Sequence, residues 1–198
     1  MIGKKLWLLF SVSLLSLALL FVSVKPELDH LVGAQALYGH QTLFDVPHIA
    51  FEDQNQERVN WSDLTEQPLY LSTGFTHCQH ACPVTMAQFR LMQDEFGNQA
   101  NFIFITLDPE RDTSERMHEY LASFSSSFIG GRTESKSDLK AFMASLKQSY
   151  NLGEGNQTIN HQNTIYLIHP NAPGFIIYTR NRMDVYKMKE DLALLNHS

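Results

Sequence analysis

Hydrophobic positions along the chain fall into three patterns: one long unbroken run near the N-terminus, short dense runs, and stretches where they recur every third or fourth residue. The short runs predict buried strands at Leu69–Phe75, Asn101–Leu107, Thr164–His169 and Gly174–Thr179, rich in β-branched and aromatic residues. Weaker strands are expected at His48–Glu52 and Glu57–Asn60, on either side of the polar turn Asp53–Gln56. Phe128–Gly131 reads as a short strand and turn, and Ser62–Leu64 as one helical turn. Helical spacing links Met86, Phe89, Met92 and Phe96, with Pro83 at the first position and Gly97 as the stop. A second helix is expected from Asp112, whose spacing to Glu115 suits a capping box, to about Phe124. A third covers Lys136–Tyr150 with Leu139, Phe142, Met143 and Leu146 on one face, and a fourth covers Asp184–Leu195. Pro170–Pro173 makes a hairpin connection. Strands alternating with helices and ending in a hairpin plus a helix imply an α/β fold, a mixed sheet flanked by helices. Cysteines placed between a strand and its following helix make that order the thioredoxin-like arrangement.

The long run has a different meaning. Lys4 and Lys5 precede Leu6–Val24, 19 consecutive residues without a charge, and Lys25-Pro26 follow. About 20 apolar residues cross a bilayer, whereas a secretory core is about 7–15. Residues 1–25 are therefore read as one N-terminal transmembrane helix, an uncleaved anchor. Ala34-Gln35-Ala36 resembles a signal-peptidase site but lies beyond Glu27, Asp29 and His30, poorly placed for cleavage. Lysines before the span predict a cytoplasmic N-terminus, hence a single-pass protein of the inner membrane with its domain on the periplasmic or equivalent exported side. Residues 26–47 read as a tether with a helical stretch near Asp29–Leu37, and residues 48–198 as the domain.

Composition narrows the function. A formal charge of −6 over 198 residues offers no basic stripe for phosphates, which excludes nucleic acid as the partner. The chain has two cysteines, Cys78 and Cys82, separated by three residues. A disulfide closing so short a loop removes little unfolded-state entropy and would be a poor structural staple. Both thiols are thus assigned to one site, with Cys82 at the expected N-cap and Cys78 in the loop before it. The positive end of a helix stabilises a thiolate. A thiolate pair suits either disulfide exchange or a soft metal such as Cu(I).

Copper calls for a further ligand, and imidazole is a natural one. Of nine histidines, His161 stands out because Ile159-Asn160-His161-Gln162-Asn163 leads into the strand Thr164–His169. In this arrangement the loop entering that strand lies beside the cysteine loop. Position alone leaves His161 open between ligand and surface residue. Asp108, before Pro109, and Arg111 read first as turn residues.

Residues 74–83, Gly-Phe-Thr-His-Cys-Gln-His-Ala-Cys-Pro, resemble the signature of the SCO/SenC family. Leu107–Thr113, Tyr120–Phe124 and Asn160-His161 before Ile165–Ile168 are similar to its later blocks, in order. The resemblance implies a thioredoxin-like domain on one membrane anchor, with copper (Cu(I) or Cu(II)) held by Cys78, Cys82 and His161. It also implies a chaperone or assembly role for the copper centre of cytochrome c oxidase, with a copper-receiving oxidase subunit or a thiol reductant protein as partner. Gln79 and His80 stand where the family usually has Pro and Asp, which frees the loop's backbone, removes an acid and adds an imidazole.

Two functions follow from these residues: copper delivery, and membrane-anchored thiol–disulfide oxidoreductase chemistry at the Cys78–Cys82 pair. Disulfide enzymes of this fold usually carry two residues between the cysteines and a proline before the facing strand. This chain has three between them, and Thr158–Ile165 contains His161 but no proline. That favours metal, and leaves catalysis at the redox pair as the alternative.

Overall fold

The computed structural model describes Ser16 and residues 36–44, 49–78, 81–148 and 163–197. The chain divides into two compact units, Met1–Leu37 and Tyr38–Ser198. The expected anchor, most of the tether, the polar loop Gly153–Asn160, Gln79, His80 and His161 lie outside the described residues. Among the described residues no helix is long and apolar enough to cross a membrane.

The second unit is built on a six-stranded sheet comprising β1 (His40–Thr42), β4 (Leu69–Gly74), β5 (Asn101–Thr106), β6 (Ile129–Gly131), β7 (Thr164–Ile168) and β8 (Phe175–Thr179), in the order β1-β8-β7-β4-β5-β6. β4 pairs parallel with β5, and β5 with β6, while β7 and β8 run antiparallel. β2 (Phe51–Glu52) and β3 (Arg58–Val59) form a separate hairpin, joined to β6 by the Glu52–Arg132 bridge. β4 is central and buried along its whole length, its polar Ser72 and Thr73 included.

Alternate residues of these strands face two different helical layers. Leu69, Leu71, Ile103 and Ile105 pack with Trp61 and Leu64 of α1 (Trp61–Leu64) and with Leu139, Phe142 and Met143 of α4 (Lys136–Ser145). On the opposite face Tyr70 and Phe102 meet Phe96 and Phe89 of α2 (Ala81–Phe96), with ring centroids 5.5 Å and 5.3 Å apart. α3 (Ser114–Ala122) shares that layer through Tyr120 against Phe104, and α5 (Val185–Asn196) packs on α2.

The elements depart from the sequence reading in instructive ways. α2 ends where Gly97 turns to φ +60°, as anticipated. α4 stops at Ser145, and Lys147 takes φ +57°, so the periodic stretch overstates the helix. The α3 cap is Thr113, whose hydroxyl accepts the Arg116 N–H, and Asp112 is engaged elsewhere. β1 was not anticipated, since residues 26–47 showed no period. It is held by the buried Asp191 of α5, whose carboxylate accepts the N–H groups of Tyr38 (2.7 Å) and Gly39 (2.9 Å) and the hydroxyl of Tyr178 (2.9 Å).

Candidate metal centre

β4 delivers the chain at Gly74 to a short loop that ends at α2. Within it the Cys78 N–H bonds the Phe75 carbonyl (3.2 Å), folding the loop back on itself. Cys78 is half-buried and Cys82 is 2% exposed. Cys82 lies within the first turn of α2 instead of at its N-cap, because the helix already begins at Ala81. Its N–H donates to Cys78 Sγ at 3.5 Å, so the first sulfur serves as acceptor for the helix start. The expected juxtaposition of the two thiols is present.

Gly74 is what admits the second sulfur. A Cβ there would sit 2.6 Å from Cys82 Sγ and 2.8 Å from the Phe104 ring. A larger residue would push the thiol and the ring apart, an overpacking cost of about 1–3 kcal/mol.

The helix-end argument for an acidic thiol does not carry to Cys82. Burial dominates and pushes this thiol well above the ordinary range, with the charges of Cys78 and Asp112 adding to it. A backbone hydrogen bond with Phe75 opposes the rise. Desolvation of a thiolate outweighs the terminal dipole here. Metal binding at Cys82 must therefore displace a proton.

Beneath the loop lies a polar lattice that the sequence placed in a turn. Asp112, fully buried, accepts the Thr76 N–H (3.0 Å), the Thr76 hydroxyl (2.6 Å) and the Thr106 hydroxyl (2.5 Å). This ties the cysteine loop to the end of β5 and explains why Asp112 is not a cap. Asp108 does make the expected turn, its carbonyl accepting the Asp112 N–H (2.9 Å). Its carboxylate also pairs with Arg111 and lies 3.4 Å from His77 Nε2, while His77 Nδ1 is 3.3 Å from Asp112 Oδ1. The residue preceding Cys78 is thus seated between two carboxylates. Capping-box spacing hid this role, since the same residue pattern serves both purposes.

On the far side, the Thr85 hydroxyl of α2 donates to Asn163 Oδ1, just before β7. Ser72 of β4 donates to the Thr164 carbonyl at 3.1 Å. The chain therefore enters β7 against the cysteine helix. Among the described residues no three metal-ligating side chains converge. The two sulfurs are a donor pair suited to a soft ion.

A mixed sheet between helical layers, with a thiol pair where a central strand passes into its helix, defines a thioredoxin-like thiol or metal-handling domain. The SCO1/SenC family model matches residues 41–195, and the chain belongs to that family. A SCO2-like protein of Rickettsia typhi is 33% identical over 133 residues, covering 62% of this chain and 65% of that one. The crystal structure of Arabidopsis thaliana ScoI with copper bound superposes with a TM-score of 0.66 at 24% identity, over 79% of this chain and all of that one. BsSco, described as a member of the Sco family of cytochrome c oxidase assembly proteins with a disulfide switch, gives 0.65 at 19%, over 77% and 93%. Both structures share the fold. The chain spans from about two fifths to just under two thirds of the length of the curated relatives it matches.

Proposed function

We propose that this protein binds copper through Cys78, Cys82 and His161 and delivers it, from a membrane-anchored position on the exported side, to the copper-receiving subunit of an oxidase such as cytochrome c oxidase. The observation that carries the reading is the pairing of the sulfurs, with the Cys82 N–H 3.5 Å from Cys78 Sγ in a chain of the SCO1/SenC family. Two thiolates and an imidazole form a donor set suited to copper. Support for His161 comes from its neighbour two residues on. Asn163 is bonded to Thr85, three residues after Cys82. The copper-bound Arabidopsis relative and the name of BsSco's family support the metal and the recipient. The uncharged span Leu6–Val24 behind Lys4 and Lys5 supports the anchor and its orientation.

Thiol–disulfide exchange is the second reading, favoured by the same sulfur proximity and by the disulfide switch ascribed to BsSco. The two are connected, because a disulfide sulfur offers no thiolate to copper. Reduction of the pair by a thiol protein then becomes a loading step. Copper stoichiometry of the domain, measured before and after oxidation of the thiols, tests the reading. One copper per reduced chain and none per oxidised chain are expected. Equal binding by both forms would refute the ligand assignment.

A further inference from the structure

α2 carries the buried thiol on one face and an exposed apolar stripe on the other. Cys82, Met86, Phe89, Met92 and Phe96 turn inward to the sheet. Val84, Ala87 and Leu91, at the three- and four-residue spacing that sets side chains in one row, turn outward. Val84 is 61% exposed and Leu91 55%. Gln88, in the turn between them, donates to the Met183 carbonyl at 2.7 Å, which brings the start of α5 alongside. Tyr186, in the first turn of α5, is 68% exposed. Lys189, one turn further on, pairs with Glu95 of α2, so Tyr186 stands on the flank of α5 that meets α2. Three of the five large hydrophobic side chains exposed among the described residues thus gather here. Single exposed side chains are ordinary, but a contiguous group marks an interaction surface. The stripe begins two residues after Cys82, at the end of α2 that carries the thiol.

We infer that the copper-receiving oxidase subunit docks on this stripe, covering Val84, Ala87, Leu91 and Tyr186 with an uncharged apolar surface, a role that rests on the copper reading above. Delivery requires the acceptor's own ligands to come within bonding distance of metal still held at Cys78 and Cys82. A protein that close to the start of α2 must also cover Val84, so the stripe continues the contact that delivery imposes. Its size suits a visitor. The patch is on the order of a few hundred Å², against about 800 Å² per partner in a stable complex. A permanent second copy needs more surface than this, whereas an acceptor that binds and leaves does not. Charge along its edges is cancelled in pairs, Arg90 with Asp94 at 2.8 Å and Lys189 with Glu95 at 3.4 Å. Recognition is therefore apolar, and docking should change little with salt.

The test uses the full-length, copper-loaded chain in detergent, with the copper-free extramembrane domain of the oxidase subunit as acceptor. Leu91 lies nine residues, about 13 Å, along α2 from Cys82, so replacing it leaves the thiols untouched. In the double variant Leu91→Gln, Tyr186→Gln, the acceptor concentration that gives half-maximal transfer should rise about tenfold. Copper stoichiometry and the rate of transfer to a small chelator should stay at the unmodified values, with circular dichroism confirming the fold. Leu91→Met with Tyr186→Phe keeps the surface apolar and should transfer as the parent does. A photo-crosslinking side chain at position 87 should capture the acceptor domain. Unchanged half-saturation in the folded, copper-loaded Gln variant would overturn the inference while leaving the copper reading intact. Slower reduction of the Cys78–Cys82 disulfide by a thiol protein, with transfer unchanged, would assign the stripe to a reductant and overturn it as well. So would crosslinking to a second copy of this chain. Failure of the unmodified protein to bind copper would overturn both readings.

Discussion

At the scale of single residues, the site is governed by how desolvation competes with local fields. Cys78 and Cys82 are conspicuous in the sequence because they are the chain's two cysteines and sit between a strand and a helix. Their acidity is not legible there, because burial of Cys82 comes from tertiary packing around Gly74 and Phe104. The raised pKa has a definite sign for binding. Cys82 carries its proton through the neutral range, and copper must expel it, so apparent affinity should rise by about tenfold per pH unit for that proton. For the metal-free protein the linkage runs the other way. The contribution from the protonated thiol is complete below the unfolded thiol value of about 8.5 and is lost as pH rises toward the higher folded value. Competition titrations with a Cu(I) chelator across pH 6–8 check the first statement, and denaturation above pH 8.5 checks the second. An affinity independent of pH would contradict a protonated Cys82.

At the scale of elements, periodicity located the central strands and the long helices because their burial is nearly complete and their patterns are correspondingly strict. It failed where one strong side chain does the work of a pattern. β1 is three residues long and alternates little, yet Asp191 holds the chain entering it through two hydrogen bonds and ties it to β8 through a third, from the Tyr178 hydroxyl. Asp112 likewise spends its oxygens on Thr76 and Thr106, leaving the cap of α3 to Thr113. Both cases turn on contacts between residues far apart in sequence, Asp112 with Thr76 and Asp191 with Tyr38 and Gly39, which local spacing does not encode. Asp191→Asn places an amide donor among three donors and should cost about 2–4 kcal/mol, the loss of charge-assisted hydrogen bonds plus an unmet donor. Denaturant unfolding measures that loss, and copper stoichiometry should stay at the unmodified value. A variant as stable as the parent would show that the Asp191 contacts contribute little to holding β1.

At the scale of the whole molecule, sequence and structure cover different parts of the account. The family match begins at residue 41, so the anchor reading rests on the uncharged span and its flanking lysines. The thioredoxin-like sheet follows from strand order and is seen directly. The proposal of a third ligand depends on the topology. Entry to β7 beside α2 is what carries the neighbourhood of Asn163 to the cysteine helix, and with it the case for His161. His161→Ala therefore tests the central claim most directly, with circular dichroism confirming the fold. Copper affinity should drop by about a hundredfold or more, since loss of an outer-shell partner alone costs about 10–100-fold. The Cys78–Cys82 disulfide should still form and still be reducible. Unchanged copper affinity in the folded variant would contradict the three-ligand site and leave disulfide exchange as the function of the thiol pair.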